Sequence, residues 1–146
     1  MTLRRRPRDP LADLPLFADC TANDVSRARR LLTLIAVDAG TVLMREGGLG
    51  TEVMIIADGQ ATVSRKTDTG DAVVATVGRG DVVGEMSLLD RGRRSATVTA
   101  VTPMSVYVAN AAEFAGLLEA LPAVAERIAR TAAERRDTNR RSTLAA

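Results

Sequence analysis

Between Thr33 and Asn110 the sequence breaks into short runs of Val, Ile, Thr and Ala punctuated by Gly and Asp, and this pattern constrains the fold more than any other feature. Such runs are too short and too β-branched for helices, and their spacing is that of antiparallel strands joined by tight turns. Strands are expected at Thr33 to Val37, Thr41 to Arg45, Glu52 to Ala57, Gln60 to Lys66, Ala72 to Val77, Ser95 to Ala100 and Met104 to Val108. Turns fall at Asp38-Ala39-Gly40, Glu46-Gly47-Gly48, Asp58-Gly59, Thr69-Gly70-Asp71 and Arg79-Gly80-Asp81, each with residues that accept tight or positive-φ geometry. Strands of this number and length close into a sandwich or rolled barrel. With no Trp, one Tyr and two Phe, the core of that roll must be aliphatic.

The flanks are helical. A first helical piece is expected from Pro10 to Leu14, and Thr21 with Asp24 three places on forms a capping box that opens a helix to Leu32. After Asn110 come helices over Ala111 to Leu121 and Pro122 to Arg136, where Pro122 suits a helix start because its missing N–H costs little. Leu121, Val124, Ala125, Ile128 and Ala132 share one stripe of the last helix, and Glu126 can pair with Arg130. The fold class expected is therefore mainly β with flanking helices: an antiparallel, jelly-roll-like β-roll. One domain is expected over residues 11–136, between a disordered basic segment at 1–10 and a flexible basic tail at 137–146.

Charge follows the same division. Residues 1–10 contribute +3 and residues 127–146 contribute +4, so a total of +2 leaves −5 for the body between them. Inside that acidic body Arg91, Arg93 and Arg94 form a tight basic cluster, interrupted only by Gly92. The chain has no histidine, which excludes imidazole-ligated metal sites and histidine general-base hydrolysis. No pair of carboxylates stands out from the other acids, and Cys20 has no histidine to activate it; no catalytic residue, metal or cofactor is expected. A single cysteine permits no internal disulfide, and Arg4-Arg5-Arg6 is followed by Asp9, Pro10, Asp13 and Pro15 rather than an apolar run. The longest apolar stretch, Leu31 to Val37, is too short to span a bilayer. The expected location is the cytoplasm.

The chemistry-bearing segment is Gly84-Glu85-Met86-Ser87-Leu88-Leu89 with the loop that ends Arg93-Arg94-Ser95-Ala96-Thr97. Glycine allows the backbone close to a ligand, and a following helical turn aims free N–H groups at an anion. Nine residues after Glu85, Arg94 supplies a planar guanidinium able to grip two phosphate oxygens. A carboxylate and a guanidinium on one small loop suit a ligand that carries both hydroxyl and phosphate.

The order helix, β-roll, Gly-Glu helical turn, Arg-Ser-Ala-Thr and two helices resembles the cyclic nucleotide-binding domain of catabolite-activator-type regulators, protein kinase A regulatory subunits and cyclic nucleotide-gated channels. The resemblance runs from Leu16 to Arg136 and includes the glycines Gly40, Gly47, Gly50, Gly59 and Gly80. It implies that Gly84 to Thr97 is a phosphate-binding cassette. Glu85 would accept the ribose 2′-hydroxyl, Arg94 would pair with the cyclic phosphate, and N–H groups near Met86, Ser87 and Ser95 would complete the anion site, with the Ser95 hydroxyl adding a bond. Arg93 takes a place that is often proline in the family, Val83 one that is often aromatic before Gly-Glu, and Met54 one that is often tyrosine or phenylalanine. The resemblance gives no lid for the base among Arg127, Ile128, Thr131 and Arg135; family frequency favours cyclic AMP over cyclic GMP.

The function expected is a free-standing cyclic nucleotide receptor that signals occupancy to an effector protein through movement of the C-terminal helices. Too little chain follows the last helix for a recognition helix, so sequence-specific DNA binding is not expected. The rival is a ligand-free interaction module that keeps the roll as scaffold and forms a homodimer through the Leu121 to Ala132 stripe.

Overall fold

A computed structural model of the chain describes residues 10–85 and 92–144. Two 3₁₀ turns, Pro10–Asp13 and Pro15–Phe17, lead into α1 (Ala22–Leu31). The strands are β1 (Thr33–Val37), β2 (Val42–Met44), β3 (Glu52–Asp58), β4 (Gln60–Thr67), β5 (Gly70–Gly78), β6 (Val82–Val83), β7 (Thr97–Ala100) and β8 (Met104–Asn110). Helices α2 (Ala111–Ala120) and α3 (Pro122–Leu144) follow. The strands form two four-stranded sheets, ordered β1-β8-β3-β6 and β2-β7-β4-β5, with antiparallel pairing throughout.

Alternation along β3 explains how the sheets divide the core. Met54 and Ile56 point into the roll, where they meet Ala61, Val77, Val98, Ala100 and Val106 from both sheets. Val53, Ile55 and Ala57 point the other way, onto Phe17, Val25, Phe114, Leu117, Val124 and Ile128. A strand buried on both faces has no polar alternation to show, which is why β3 reads as Val-Met-Ile-Ile-Ala. The turn after β3 carries the chain from one sheet to the other. There Gly59 has φ +95°, and a Cβ would stand 2.5 Å from the Pro103 carbonyl oxygen, so the crossing needs glycine.

The helix ends are chemically specified. Thr21 Oγ1 accepts from Asp24 N at 3.2 Å and Asp24 Oδ2 accepts from Thr21 N at 3.1 Å, completing the expected capping box. A second box, Asn110 with Glu113, starts α2 with bonds of 2.8 and 2.9 Å. The expected helical piece at Pro10 to Leu14 is one 3₁₀ turn over Pro10–Asp13, which ends there because Pro15 denies Leu14 a continuing helical conformation; a second turn, Pro15–Phe17, follows.

Three expectations need correction. β6 was not anticipated, since two residues carry no readable period; it is defined by its pairing, Met54 with Val83 and Ile55 with Val82. The last helix does not stop at Arg136. After Pro122 no Gly or Pro interrupts the sequence, and helical backbone continues to Leu144 through most of the segment expected as a flexible tail. Finally, of the expected stripe, Leu121, Val124, Ile128 and Ala132 are each no more than 3% exposed, packed within the chain, and Ala125 is half-buried. That stripe is consumed by the fold and does not offer a face to a second copy.

Among the described residues no helix is long and apolar enough to cross a membrane, and no group of three or more His, Cys, Asp or Glu could hold a metal. Cys20 packs at the margin of the helix-side core, and burial, with the charges of Asp24 and Asp19, pushes its thiol pKa up against the opposing effect of Arg127. Its thiolate is therefore disfavoured.

Ile56 lies wholly inside the roll, so Ile56→Ala should destabilise the domain by about 2–5 kcal/mol in chemical denaturation. Thr21→Ala, which removes one capping bond, should cost about 1 kcal/mol. A loss at Ile56 no larger than that at Thr21 would show that the roll interior is not tightly packed.

Candidate functional site

The site is assembled from three segments that are remote in sequence. The antiparallel register of Met54 with Val83 carries Gly84, the residue after β6, alongside the start of β3 at Glu52. Glu85 follows as the first helical residue and is fully buried. From the other sheet comes the segment before β7, which is zipped to the loop at Glu46–Leu49. Arg94 N donates to Gly48 O and Gly47 N donates to Arg94 O, both at 2.8 Å, while Glu46 N donates to Thr97 Oγ1 at 3.0 Å. Leu49 and Arg93 form a β-bridge in the same zipper. With its own N–H and C=O committed there, Arg94 projects its side chain inward.

The guanidinium is held by main chain. Nη1 donates to Gly84 O at 2.9 Å and Nη2 donates to Glu52 O at 2.5 Å, and the residue is 8% exposed. Gly84 makes this approach sterically available. Its φ is +89°, and a Cβ there would fall on Arg94 Nη1, 2.6 Å from Met44 Cε and 2.8 Å from Glu52 O. Backbone conformation and close packing both require glycine at this position.

Burial lowers the Arg94 pKa below the ordinary arginine value, and the negative charges of Glu52 and Glu85 act in the opposite direction. A guanidinium starts so high that it remains a cation at every physiological pH. The arrangement is thus a permanent positive charge in a largely desolvated place, with a buried carboxylate close enough to stabilise it. It can bind an oxyanion and accept a hydroxyl proton at the same locus.

Of the residues expected to form the site, Gly84, Glu85 and Arg94 are brought together, and Ser95 lies exposed in the bend that follows Arg94. Met86, Ser87 and Arg91 lie outside the described residues. Arg93 is exposed and donates to Gly47 O at 2.8 Å, a neighbour rather than a member of the buried pair. The sequence reading missed Glu52, whose carbonyl fixes Arg94, and Met44, which packs on Gly84. It also read Gly47-Gly48 as a turn, with Gly47 part of the glycine framework, and not as the edge on which Arg94 docks. Nothing local signals that Glu52 O lies 42 positions from its donor, whereas paired glycines before a strand could have suggested a docking edge.

Gly84→Ala should destabilise the domain more than Gly47→Ala. Both positions have positive φ, which costs an L-residue about 1–2 kcal/mol, but a Cβ at Gly47 meets nothing within 4 Å. Urea denaturation of the two variants measures the difference, and equal losses would mean that Arg94 does not press on Gly84.

Comparison with known proteins gives a consistent result. Residues 34–120, more than half of the 146-residue chain, match the family described as the cyclic nucleotide-binding domain. The chain is 36% identical over 126 residues to a cyclic nucleotide-gated potassium channel of Rhizobium etli, an alignment covering 86% of this chain and 34% of the channel. Its fold is similar to the crystal structure of the Thermus thermophilus catabolite activator protein, with a TM-score of 0.78 and 30% identity over 89% of this chain and 62% of that one. It is similar also to the regulatory domain of Toxoplasma gondii protein kinase A crystallised with cyclic AMP, at TM-score 0.65 and 30% identity, covering 73% of this chain and 41% of that one. The chain therefore spans about a third of the length of the potassium channel and under two thirds of either structure. On these matches and on the roll they share, the chain belongs to the cyclic nucleotide-binding domain family.

Proposed function

We propose that the chain is a receptor for a cyclic nucleotide, cyclic AMP, and that it reports occupancy to a partner protein through α3. The observation that carries this reading is that Arg94 and Glu85 are both buried beside Gly84, near enough for the carboxylate's charge to act on the guanidinium. A cyclic phosphodiester keeps one negative charge throughout the physiological range, so its receptor needs a cation that does not titrate. Two of the five guanidinium N–H groups are committed to Gly84 O and Glu52 O, which sets the plane of the group. The phosphate takes N–H groups on the remaining edges, a charge-assisted contact contributing about 1.5–3 kcal/mol.

Glu85 completes the recognition. A carboxylate beside an anionic ligand is unfavourable unless it accepts a hydrogen bond, and the ribose 2′-hydroxyl is the donor a cyclic ribonucleotide presents. The pair therefore discriminates ribose from deoxyribose, because a deoxy ligand would leave the buried carboxylate without that donor. Cyclic AMP is the base-specific choice because the similar Toxoplasma regulatory domain was crystallised with it. The site is one of binding rather than catalysis, since a guanidinium neither gives nor takes a proton at working pH.

A route to α3 runs through β6. Val83 faces the interior of the roll, while Val82 belongs to the cluster that holds Leu121, Val124 and Ile128. A ligand that draws Gly84 and Glu85 inward pulls on a strand whose other face supports α3. Coupling of about 1–3 kcal/mol between the two arrangements is enough for a switch.

Calorimetric titration with cyclic AMP and cyclic GMP tests the receptor. Arg94→Leu should weaken cyclic AMP binding tenfold or more, in keeping with the loss of a charged hydrogen-bonded contact. Undiminished affinity would show that the phosphate lies elsewhere. Affinity should be level between about pH 6 and 8, because the chain has no histidine to change charge in that interval. If neither nucleotide binds at millimolar concentration, the roll is an interaction scaffold.

A further inference from the structure

β1 is an outer strand. In the sheet order β1-β8-β3-β6 it pairs with β8 on one side, and among the described residues no strand pairs with it on the other. An open strand edge is a template for another strand, and proteins blunt such edges with bulges, charges or very short strands. The other outer strands are blunted in these ways. β6 has two residues, β2 has three and an irregular register, and β5 bulges at Val74, left out of the register between Val73 and Ala75. β1 has none of these devices: its residues, Thr33-Leu34-Ile35-Ala36-Val37, carry no charge and no proline, and its register with β8 is unbroken. Leu34 is 42% exposed and Ile35 37%, and because neighbouring side chains alternate, apolar surface is uncovered on both faces of the strand.

We propose that β1 is the pairing surface for a second copy of this chain, the two β1 strands running antiparallel about a twofold axis so that the sheets join edge to edge. The charges at the two ends of the strand favour that occupant and that direction. Arg29 and Arg30 close α1 just before β1, Asp38 follows it, and Arg30 and Asp38 are exposed. With Ile35 opposite Ile35 of the second copy all of β1 is paired, and the acidic end of each strand lies beside the basic end of the other. Parallel pairing would set like charges together, which is unfavourable across strands. An uncharged strand with opposite charges at its ends is thus complementary to itself, as a twofold contact requires. The contact uses none of the residues around Arg94 and is separate from the stripe buried beneath α3. So short a strand makes a small interface, and the dimer forms only at high concentration.

Sedimentation velocity from about 5 µM to about 0.5 mM should show monomer giving way to dimer, the range suited to a small interface. Leu34→Lys places a charge on the open edge and should weaken dimerisation about tenfold or more, with thermal melting to confirm that the variant folds. Arg30→Glu and Asp38→Lys lie outside the strand at exposed positions. Each alone should weaken the dimer about two- to tenfold, the scale of exposed ion pairs made twice, and the double variant should return to the wild-type value. If Leu34→Lys fails to fold, these charge variants decide. A wild-type chain that stays monomeric at the highest concentration overturns the inference, and so does a dimer indifferent to Leu34→Lys. A double variant no tighter than the single ones overturns the antiparallel pairing on which the choice of a second copy rests.

Discussion

A guanidinium taken almost wholly out of water is tolerable only where acceptors replace its hydration, and the burial of Arg94 is the constraint around which the rest of this domain is arranged. Those acceptors are main-chain carbonyls at Gly84 and Glu52, so their placement depends on strand register and not on flexible side chains. β6 must lie beside β3 to present Gly84, and the Glu46–Leu49 loop must zip to residues 93–97 to turn Arg94 inward. Each sheet supplies part of the cradle. Slipping either register by one residue would exchange the faces of its strand and dismantle the site along with the core.

Carbonyls alone can hold a guanidinium, but they cannot account for a fully buried carboxylate at Glu85 or for a glycine at positive φ in van der Waals conflict with any Cβ. On the proposed reading, a ligand with one phosphate and one adjacent hydroxyl engages both. β6 then has a double burden: Val83 packs in the roll while Val82 packs in the helix-side cluster. Two residues thus connect the cradle of Arg94 with the layer on which α3 lies.

How much of this was legible depended on whether the information was local. The capping box at Thr21 and Asp24, the turn glycines and the β-branched runs announce themselves through short-range chemistry, and the observed elements begin or end within a few residues of the expected ones. The Asn110 and Glu113 box had the same local form and was open to the same reasoning. β6 was invisible because two residues have no period, and the continuation of α3 to Leu144 was missed because a polar, Arg-rich stretch looks frayed although it contains no helix breaker. At the site, Gly84, Glu85 and Arg94 stood out by residue type and spacing. Glu52 and Met44 did not, since a carbonyl group is common to every residue and a methionine in a strand looks like core.

By itself the sequence determined the class of fold, the residue types gathered at the candidate site and the absence of any titrating imidazole, because these follow from residue identity and from periods of a few positions. Only the tertiary structure decided which carbonyls hold Arg94, why position 84 admits no side chain, and that the stripe on α3 is spent inside the chain. These are relations between segments separated by tens of residues, set by sheet order and by packing of opposite strand faces. Contact at that range is a property of the whole fold, and no local pattern of side chains encodes it.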